Sequence, residues 1–410
     1  MKIALVHHTF SLTGGTERYG LDLACALADR GDEVHLFARH VTSEIDLPVH
    51  RMGPVMFWNG PGHLRFNRTV HRALGREIRR SLRPFDVVLG LGRTLGQHVT
   101  RLGGGCHAAY LEAMTGVPVG WLEKTGRLSR RDRRLLGWER RLAVLGAGGH
   151  IIAVSHRVKA EFLVHHHLPA RSISVIHNGV DTDRFRPPLN RAERCHARRI
   201  LGIPTNGIVV LFAGNGLARK GFRTTLAAFH SAARTVFRQG TSQPLRLLLV
   251  GKDPAGATRL LTAYRRALAQ VGATLHAPGH LERMEIAYHA ADLLVLPSRY
   301  EPFGNVCLEA LASGLPAITT RVNGVAEILS GPLAELTVPS ADAVDTVACR
   351  ILRLLDPSTR RRLGELGRSL ALQHGVRSHA ATVRSVLQAQ VEARRARKGG
   401  RGCVESPGQR

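Results

Sequence analysis

The sequence predicts a two-domain α/β protein, each half a parallel sheet interleaved with helices, the halves facing a cleft. Three observations carry this. The chain has 410 residues, enough for two domains with a core each. A strand–loop–helix–strand rhythm starts at residue 2 and starts again at residue 208, after an interval rich in Pro and Arg with little apolar periodicity. Between 292 and 320 a short apolar run passes through a polar turn into a helix pattern, the local order that sets a helix start at the carboxyl edge of a sheet.

Taken in order, residues 2–6 read as the first strand and 16–29 as a helix, with Leu21, Cys25 and Leu27 among its apolar positions. Residues 34–37 are the second strand, and 85–90 and 151–155 later strands of the same sheet. The strand at 174–177 runs into Asn178-Gly179, a turn signal. The interval 180–199 is read as the linker between an N-terminal domain over 1–180 and a C-terminal domain over 200–375. In the second half 208–213 is a strand followed by a glycine loop and a helix, 245–250 is a strand ending at Gly251, and 292–297 and 317–319 are two more. Residues 380–394 suit a helix, within a segment at 376–395. The tail over 396–410, with Lys-Gly-Gly-Arg-Gly, has the composition of a disordered basic segment.

Composition narrows the partners. The formal net charge is +27, from 58 Lys and Arg against 31 Asp and Glu. Such a charge favours nucleotide phosphates, acidic lipid surfaces, phosphorylated saccharides or nucleic acid; an Arg-rich genome-wide composition accounts for it equally well. Aromatic residues are only 5% of the chain, which disfavours nucleic acid, because single-strand binders need stacking platforms. Cys25, Cys106, Cys195, Cys307, Cys349 and Cys403 are scattered without C-x-x-C spacing. Neither a zinc site nor a disulfide framework is suggested, and a cytoplasmic location follows. The first apolar run is too short for a signal peptide, and no stretch approaches the ~20 apolar residues of a membrane span. Membrane contact, if any, is peripheral, at the inner face of the cytoplasmic membrane.

The segment at 292–320 carries the chemistry. Glu301 sits in the turn and Glu309 inside the helix that opens near Gly304. A helix start carries unpaired N–H groups and partial positive charge and can hold a phosphate. A carboxylate one turn further in can accept hydrogen bonds from a sugar diol. Arg219 and Lys220 follow a strand within a glycine-bounded loop, where cations can meet the charge that develops on a leaving diphosphate. Gly14 and Gly15, after the first strand, allow close backbone approach to phosphate or sugar. They do not complete the dinucleotide fingerprint, and Arg39 and His40 rather than an acid end the second strand, so the pattern argues against NAD. His107 closes the run Gly103-Gly104-Gly105-Cys106 and is a candidate bridge between donor sugar and phosphate. His165, His166 and His167 are adjacent and do not converge on one helix face, so a solvated surface is expected there. The arginines at 79–83 and 360–362 are read as solvated faces. The basic stretch around Leu135, Leu136 and Trp138, with Trp121 upstream, suits either an anionic membrane surface over 121–141 or a surface helix packed on the sheet.

The run Glu-Pro-Phe-Gly-Asn at 301–305, followed by Glu309, resembles the paired-glutamate motif of family 4 glycosyltransferases. The resemblance extends from Gly14-Gly15 to about residue 375 and, within the family, is nearest the lipopolysaccharide core α-glucosyltransferases. It implies a GT-B fold, two Rossmann-like domains facing a cleft, and a C-terminal helix that returns to the first domain. It implies retaining hexosyl transfer from a UDP-sugar donor to a saccharide or glycolipid acceptor, with no metal or other cofactor. On this resemblance Arg219 and Lys220 bind the β-phosphate, Glu301 meets hydroxyls of the transferred sugar and Glu309 the ribose. Backbone N–H groups around Phe303, Gly304 and Asn305 face sugar and phosphate, and Gly14 and Gly15 border the donor diphosphate and the acceptor. Members of the family carry an Asp in the glycine run, at the position of Gly104, which this chain lacks. The Asp181-Thr182-Asp183 triplet falls in the linker and is not read as a metal motif. A glycosidase reading of Glu301 and Glu309 is rejected, because Glu309 lies behind the phosphate site. Two other classes stay open: a GT-B enzyme without transfer to an acceptor, such as a nucleotide-sugar epimerase or phosphorylase, and a non-catalytic RNA- or membrane-binding protein.

Overall fold

The structure is a computed structural model, which describes residues 1–399 except 13, 43–44, 52–84, 93, 95–96, 146–148, 241–242 and 253–256. The strands of the first half are β1 (Lys2–Val6), β2 (Thr9–Phe10), β3 (Glu33–Ala38), β4 (His40–Val41), β5 (Val49–Arg51), β6 (Val87–Gly90), β7 (Val99–Leu102), β8 (His150–Ala153) and β9 (Ile173–Val175). Seven of them form one sheet in the order β5-β3-β1-β6-β7-β8-β9, with every pairing parallel. The remaining two, β2 and β4, pair with each other. The helices of this half are α1 (Gly15–Ala28), α2 (His107–Thr115), α3 (Val119–Lys124), α4 (Arg130–Leu145) and α5 (His156–His166). Such a parallel sheet is covered on both faces, which is why β1 and β6 are apolar without alternation and almost wholly buried; β7 is buried as well, although it carries Thr100 and Arg101.

The second half opens with α6 (Arg191–Ile200) and continues through β10 (Ile208–Ala213), α7 (Phe222–Arg238), β11 (Leu245–Val250), α8 (Ala257–Ala269), β12 (Thr274–Gly279), α9 (Met284–Ala290), β13 (Leu293–Leu296), α10 (Asn305–Ala312), β14 (Ala317–Thr320), β15 (Thr337–Val338), α11 (Val344–Arg353) and α12 (Pro357–Gln373). Its sheet has the order β12-β11-β10-β13-β14-β15, again all parallel.

In each sheet the strand order reverses once, between β1 and β6 in the first and between β10 and β13 in the second. Loops leaving the two strands that flank such a reversal diverge to opposite faces and open a crevice at the carboxyl edge. The loops in question carry Gly14-Gly15 after β1, Arg219-Lys220 after β10 and Glu301 after β13. Topology alone therefore brings the candidate residues to the mouths of the sheets.

The last helix, α13 (Val376–Gly399), belongs to the first half. Its Ala380, Val383, Leu387 and Val391 are buried in one cluster with Ile3, Leu5, Leu23 and Leu27. Arg384 Nε lies 2.7 Å from Asp32 Oδ2, and the chain's amino terminus holds the other oxygen of Asp32 at 2.8 Å.

The structure departs from the sequence reading in several places. The interval read as linker contains α6, whose first turn is capped by Asn190 accepting from the Glu193 N–H. That helix is tied to the second sheet: Arg198, 2% exposed, donates to Asp292 at 2.8 Å. Helical structure also continues over 396–399, where a disordered tail was expected, while 400–410 lies outside the described residues. The arginines at 79–83 are likewise outside them. Arg360 is no solvated charge, since it donates to the carbonyls of Leu354 and Leu355 at 2.7 and 3.0 Å.

Candidate functional site

The second-domain wall is built by the ends of β10 and β13. Arg219 Nη1 donates to Glu301 Oε2 and to the Tyr300 carbonyl, each at 2.8 Å, and Lys220 Nζ lies 3.5 Å from the same Glu301 oxygen. Burial pushes the Glu301 carboxyl up, but Lys220 and Arg219 more than offset it and hold the group below the usual carboxylate range. Two cations against one carboxylate leave positive charge in excess at this spot.

Helix α10 starts immediately beyond. Gly304 precedes it at φ 80°, a left-handed conformation, and a side chain there would collide with Asn323. No side chain caps this helix start. Its first N–H groups are therefore donors open to a ligand, with the positive end of the helix behind them. Glu309 stands one turn further in. Its Oε2 accepts from the Tyr288 hydroxyl at 2.6 Å, and burial raises its carboxyl above the usual range despite that bond.

The first-domain wall is formed by the loops after β1 and β7. Gly14 takes φ 94° and opens α1, again with no side-chain cap. Beyond β7 the run Gly103-Gly104-Gly105 leads into α2, at whose start His107 is 7% exposed. The His107 backbone N–H donates to Glu139 Oε1 at 2.5 Å, and its Nε2 lies 3.0 Å from Asp132 Oδ1 on α4. A histidine so held can give or take a proton, with Asp132 fixing its orientation.

Among the described residues, Asn178, Tyr300 and Glu327 make polar contacts that join the walls. Asn178 accepts from Arg101 at 2.6 Å and donates to Asn305, the first residue of α10, at 2.6 Å. The Tyr300 hydroxyl accepts from the Cys106 N–H at 2.8 Å and donates to Glu161 at 2.8 Å. Glu327, from the second half, accepts the N–H groups of His156 and Arg157 at the start of α5, both at 2.8 Å. Between the walls lies a cleft of about 900 Å³, and all ten residues singled out from the sequence line it: Gly14, Gly15 and His107 on one side, Arg219, Lys220, Glu301, Phe303, Gly304, Asn305 and Glu309 on the other.

One surface reading is corrected and one open alternative is narrowed. His166 is not solvated: it lies 3.1 Å from the buried Glu139 and 3.9 Å from Cys106 Sγ, because α5 turns that face onto α4. The basic helix α4 buries Leu135, Leu136, Trp138 and Leu142 in the core, so these side chains are withheld from any lipid surface; Trp121 remains 41% exposed. Sequence reasoning missed Arg101, Asn178, Tyr300 and Asp132. No local pattern marked this group: Arg101 interrupts the apolar run of its strand, and its burial is set by the fold. No helix of the described residues is long and apolar enough to cross a membrane.

Comparison with known proteins gives a consistent picture. A family model described as glycosyl transferases group 1 matches residues 207–357, and one described as glycosyltransferase family 4 matches residues 13–184. A D-inositol 3-phosphate glycosyltransferase of Xylanimonas cellulosilytica is 30% identical over 421 residues, covering 94% of each chain. The protein so named in Corynebacterium glutamicum is 32% identical over 226 residues, 52% of this chain and 51% of that one. With this and similar curated relatives the match thus spans about half their length. Among solved structures, WaaG, a glycosyltransferase involved in lipopolysaccharide biosynthesis, superposes with TM-score 0.74 at 20% identity, over 94% of this chain and 99% of its own. HepE of Anabaena, in complex with UDP and glucose, does so with TM-score 0.67 at 17% identity, over 95% and 100%.

Proposed function

Since the chain belongs to the group 1 and family 4 glycosyltransferases and has their GT-B fold, we propose that it moves a hexosyl group from a UDP-sugar to a saccharide or glycolipid acceptor with retention of configuration. The observation that carries this reading is the cluster of Arg219, Lys220 and Glu301 beside the uncapped start of α10, with Glu309 one turn in. The cations and the helix start receive the diphosphate, Glu309 the ribose and Glu301 the sugar hydroxyls. Binding the diphosphate replaces Glu301 as the partner of the cations, which leaves that carboxylate for the sugar.

In the transfer step the bond from the anomeric carbon to the β-phosphate oxygen breaks and a bond to the acceptor oxygen forms on the same face. The acceptor's proton passes to the departing phosphate oxygen. Arg219, Lys220 and the α10 dipole stabilise the charge that develops there, so no metal is assigned a part. His107, with Asp132 behind it, stands on the acceptor side as a hydrogen-bonding partner for the transferred sugar. The acceptor class has two pointers: the resemblance to lipopolysaccharide core enzymes, and curated relatives whose name specifies inositol 3-phosphate. The first suggests work at the cytoplasmic face of the membrane, in building the cell envelope.

The test is a hydrolysis and transfer screen over UDP-, GDP- and ADP-linked sugars, run with and without EDTA. UDP release that survives chelation and increases with a saccharide acceptor is expected. No release from any donor would overturn the reading, and loss on chelation with recovery on Mn²⁺ would overturn its metal-free form.

A further inference from the structure

A buried cation in the first-domain wall has no ion-pair partner among the described residues. Arg101 lies in β7 and is 2% exposed. Nη2 donates to Asn178, and the guanidinium carbon stands 3.5 Å from the centroid of the Tyr19 ring. Tyr19 meets the cation through its ring face. Nε and Nη1 have no hydrogen-bond partner among the described residues, and no carboxylate among them forms an ion pair with the group.

The surroundings are built to keep it there. The Tyr19 hydroxyl bonds His379 Nε2 at 2.7 Å, and His379 Nδ1 bonds the His177 carbonyl at 2.8 Å. The second bond requires the proton on Nδ1, so Nε2 is the acceptor for Tyr19. A side chain at Gly103 would collide with Nη1, so glycine at that position makes room for the guanidinium. Residues of α1, α13 and the β7–α2 loop thus converge on one positive charge. An unpaired buried charge is unfavourable unless a ligand completes it.

Arg101 lines the main cleft and also a recess of about 280 Å³ that shares Thr16, Glu17, Gly103 and Gly104 with it and is lined further by His7 and His8. The start of α1, a helix of 14 residues with no side-chain cap, faces this recess through Thr16. Glu17 also lines it; its carboxylate suits a hydroxyl rather than an anion. Hydroxyls and a negative charge in one small recess describe an anionic saccharide or polyol. The donor diphosphate is accounted for on the opposite wall.

We propose that Arg101, with the N-terminus of α1, binds a phosphate or carboxylate carried by the acceptor, and that the enzyme selects negatively charged acceptors through it. The proposal rests on the transferase reading above. It also assigns Asn178 a second task. Linked to Arg101 on one side and Asn305 on the other, it connects the occupied acceptor recess to the helix that holds the donor phosphate.

The test saturates the protein with UDP, so that the donor phosphate site is filled, and then titrates inorganic phosphate and, separately, acetate. Calorimetry and the ¹⁵N resonance of the arginine Nε–H groups read the binding. Phosphate or acetate is expected to bind the UDP-loaded wild type and to shift one buried Nε–H resonance, and the tighter of the two identifies the charged group. Arg101→Gln should weaken that binding at least ~10-fold while leaving UDP affinity within about twofold, and Arg101→Lys should retain part of it. Absence of binding to the UDP-loaded wild type, which needs no variant, overturns the proposal; so does equal affinity in folded Arg101→Gln. Failure of UDP itself to bind defeats the donor-site reading, and the proposal falls with it.

Discussion

Glu309→Ala separates the two glutamates. On the function proposed above, Glu309 accepts from the ribose and Glu301 from the transferred sugar. A hydrogen bond to a charged group contributes about 1.5–3 kcal/mol, so removing Glu309 should weaken UDP binding by roughly 10- to 150-fold. The structure adds a second effect to separate. The Tyr288 hydroxyl, which donates to Glu309 at 2.6 Å, has otherwise only the Val306 carbonyl at 3.3 Å. Part of any loss could therefore come from a buried hydroxyl left poorly satisfied. Tyr288→Phe removes that hydroxyl and keeps the carboxylate, so any loss of UDP affinity should be no more than about tenfold, the effect of a neutral bond at most, and smaller than that in Glu309→Ala. Glu301→Ala has the opposite expectation. It frees Arg219 and Lys220 from their present partner, so UDP should bind as well as before or more tightly, while transfer falls. Isothermal calorimetry with UDP alone on the three variants decides it. Equal loss of UDP affinity in Glu301→Ala and Glu309→Ala would refute the division of labour, and so would wild-type UDP affinity in Glu309→Ala.

Arg219→Ala and Lys220→Ala should each lower turnover by ~10²-fold or more, because each removes a cation from the leaving group; near-normal steady-state rates in both would refute the phosphate assignment. Stability should respond to pH through His379, whose pKa burial depresses from 6.5 to about 3. The unfolded chain takes up that proton first, so the contribution is complete above pH ~6.5 and is lost as pH falls toward 3. Between pH 7.5 and 5.5 the loss should be about 1.4 kcal/mol. Denaturant unfolding of wild type and His379→Gln at both pH values isolates it, and an identical loss in the two proteins would contradict the assignment.

What the sequence disclosed depended on whether a local pattern sufficed. The strand at 2–6 was legible to the residue, because a continuous apolar run between turns has one natural reading. The helix opening after Gly304 and the loop with Arg219 and Lys220 were legible because turn chemistry and charge mark them locally. Strands β7 and β12 were not. Arg101 interrupts the first, and His276 and Pro278 the second, so neither reads as a buried run. Their places are set by neighbours: β7 pairs with β6 and β8, and Asn178 and Tyr19 accommodate its arginine. Contacts between residues hundreds of positions apart, such as Tyr300 with Cys106, leave no periodic trace. The helix at α4 shows the reverse case, where an amphipathic pattern was plain but the sequence left open whether its apolar stripe meets lipid or the protein interior.

The return of α13 sets an order of events during synthesis. The first domain's sheet is complete in sequence by Val175, yet the core it shares with α13 is filled only when Ala380, Val383, Leu387 and Val391 arrive some two hundred residues later. A growing chain therefore carries an uncovered apolar face through the whole translation of the second domain. At ~5–20 residues per second that exposure lasts on the order of ten to forty seconds. Ribosome-bound chains arrested before residue 376 should engage holding chaperones, and release from them should coincide with the emergence of the last helix. The same connection means that the two halves are not separable modules: cutting the gene between them yields an N-terminal fragment without its closing element.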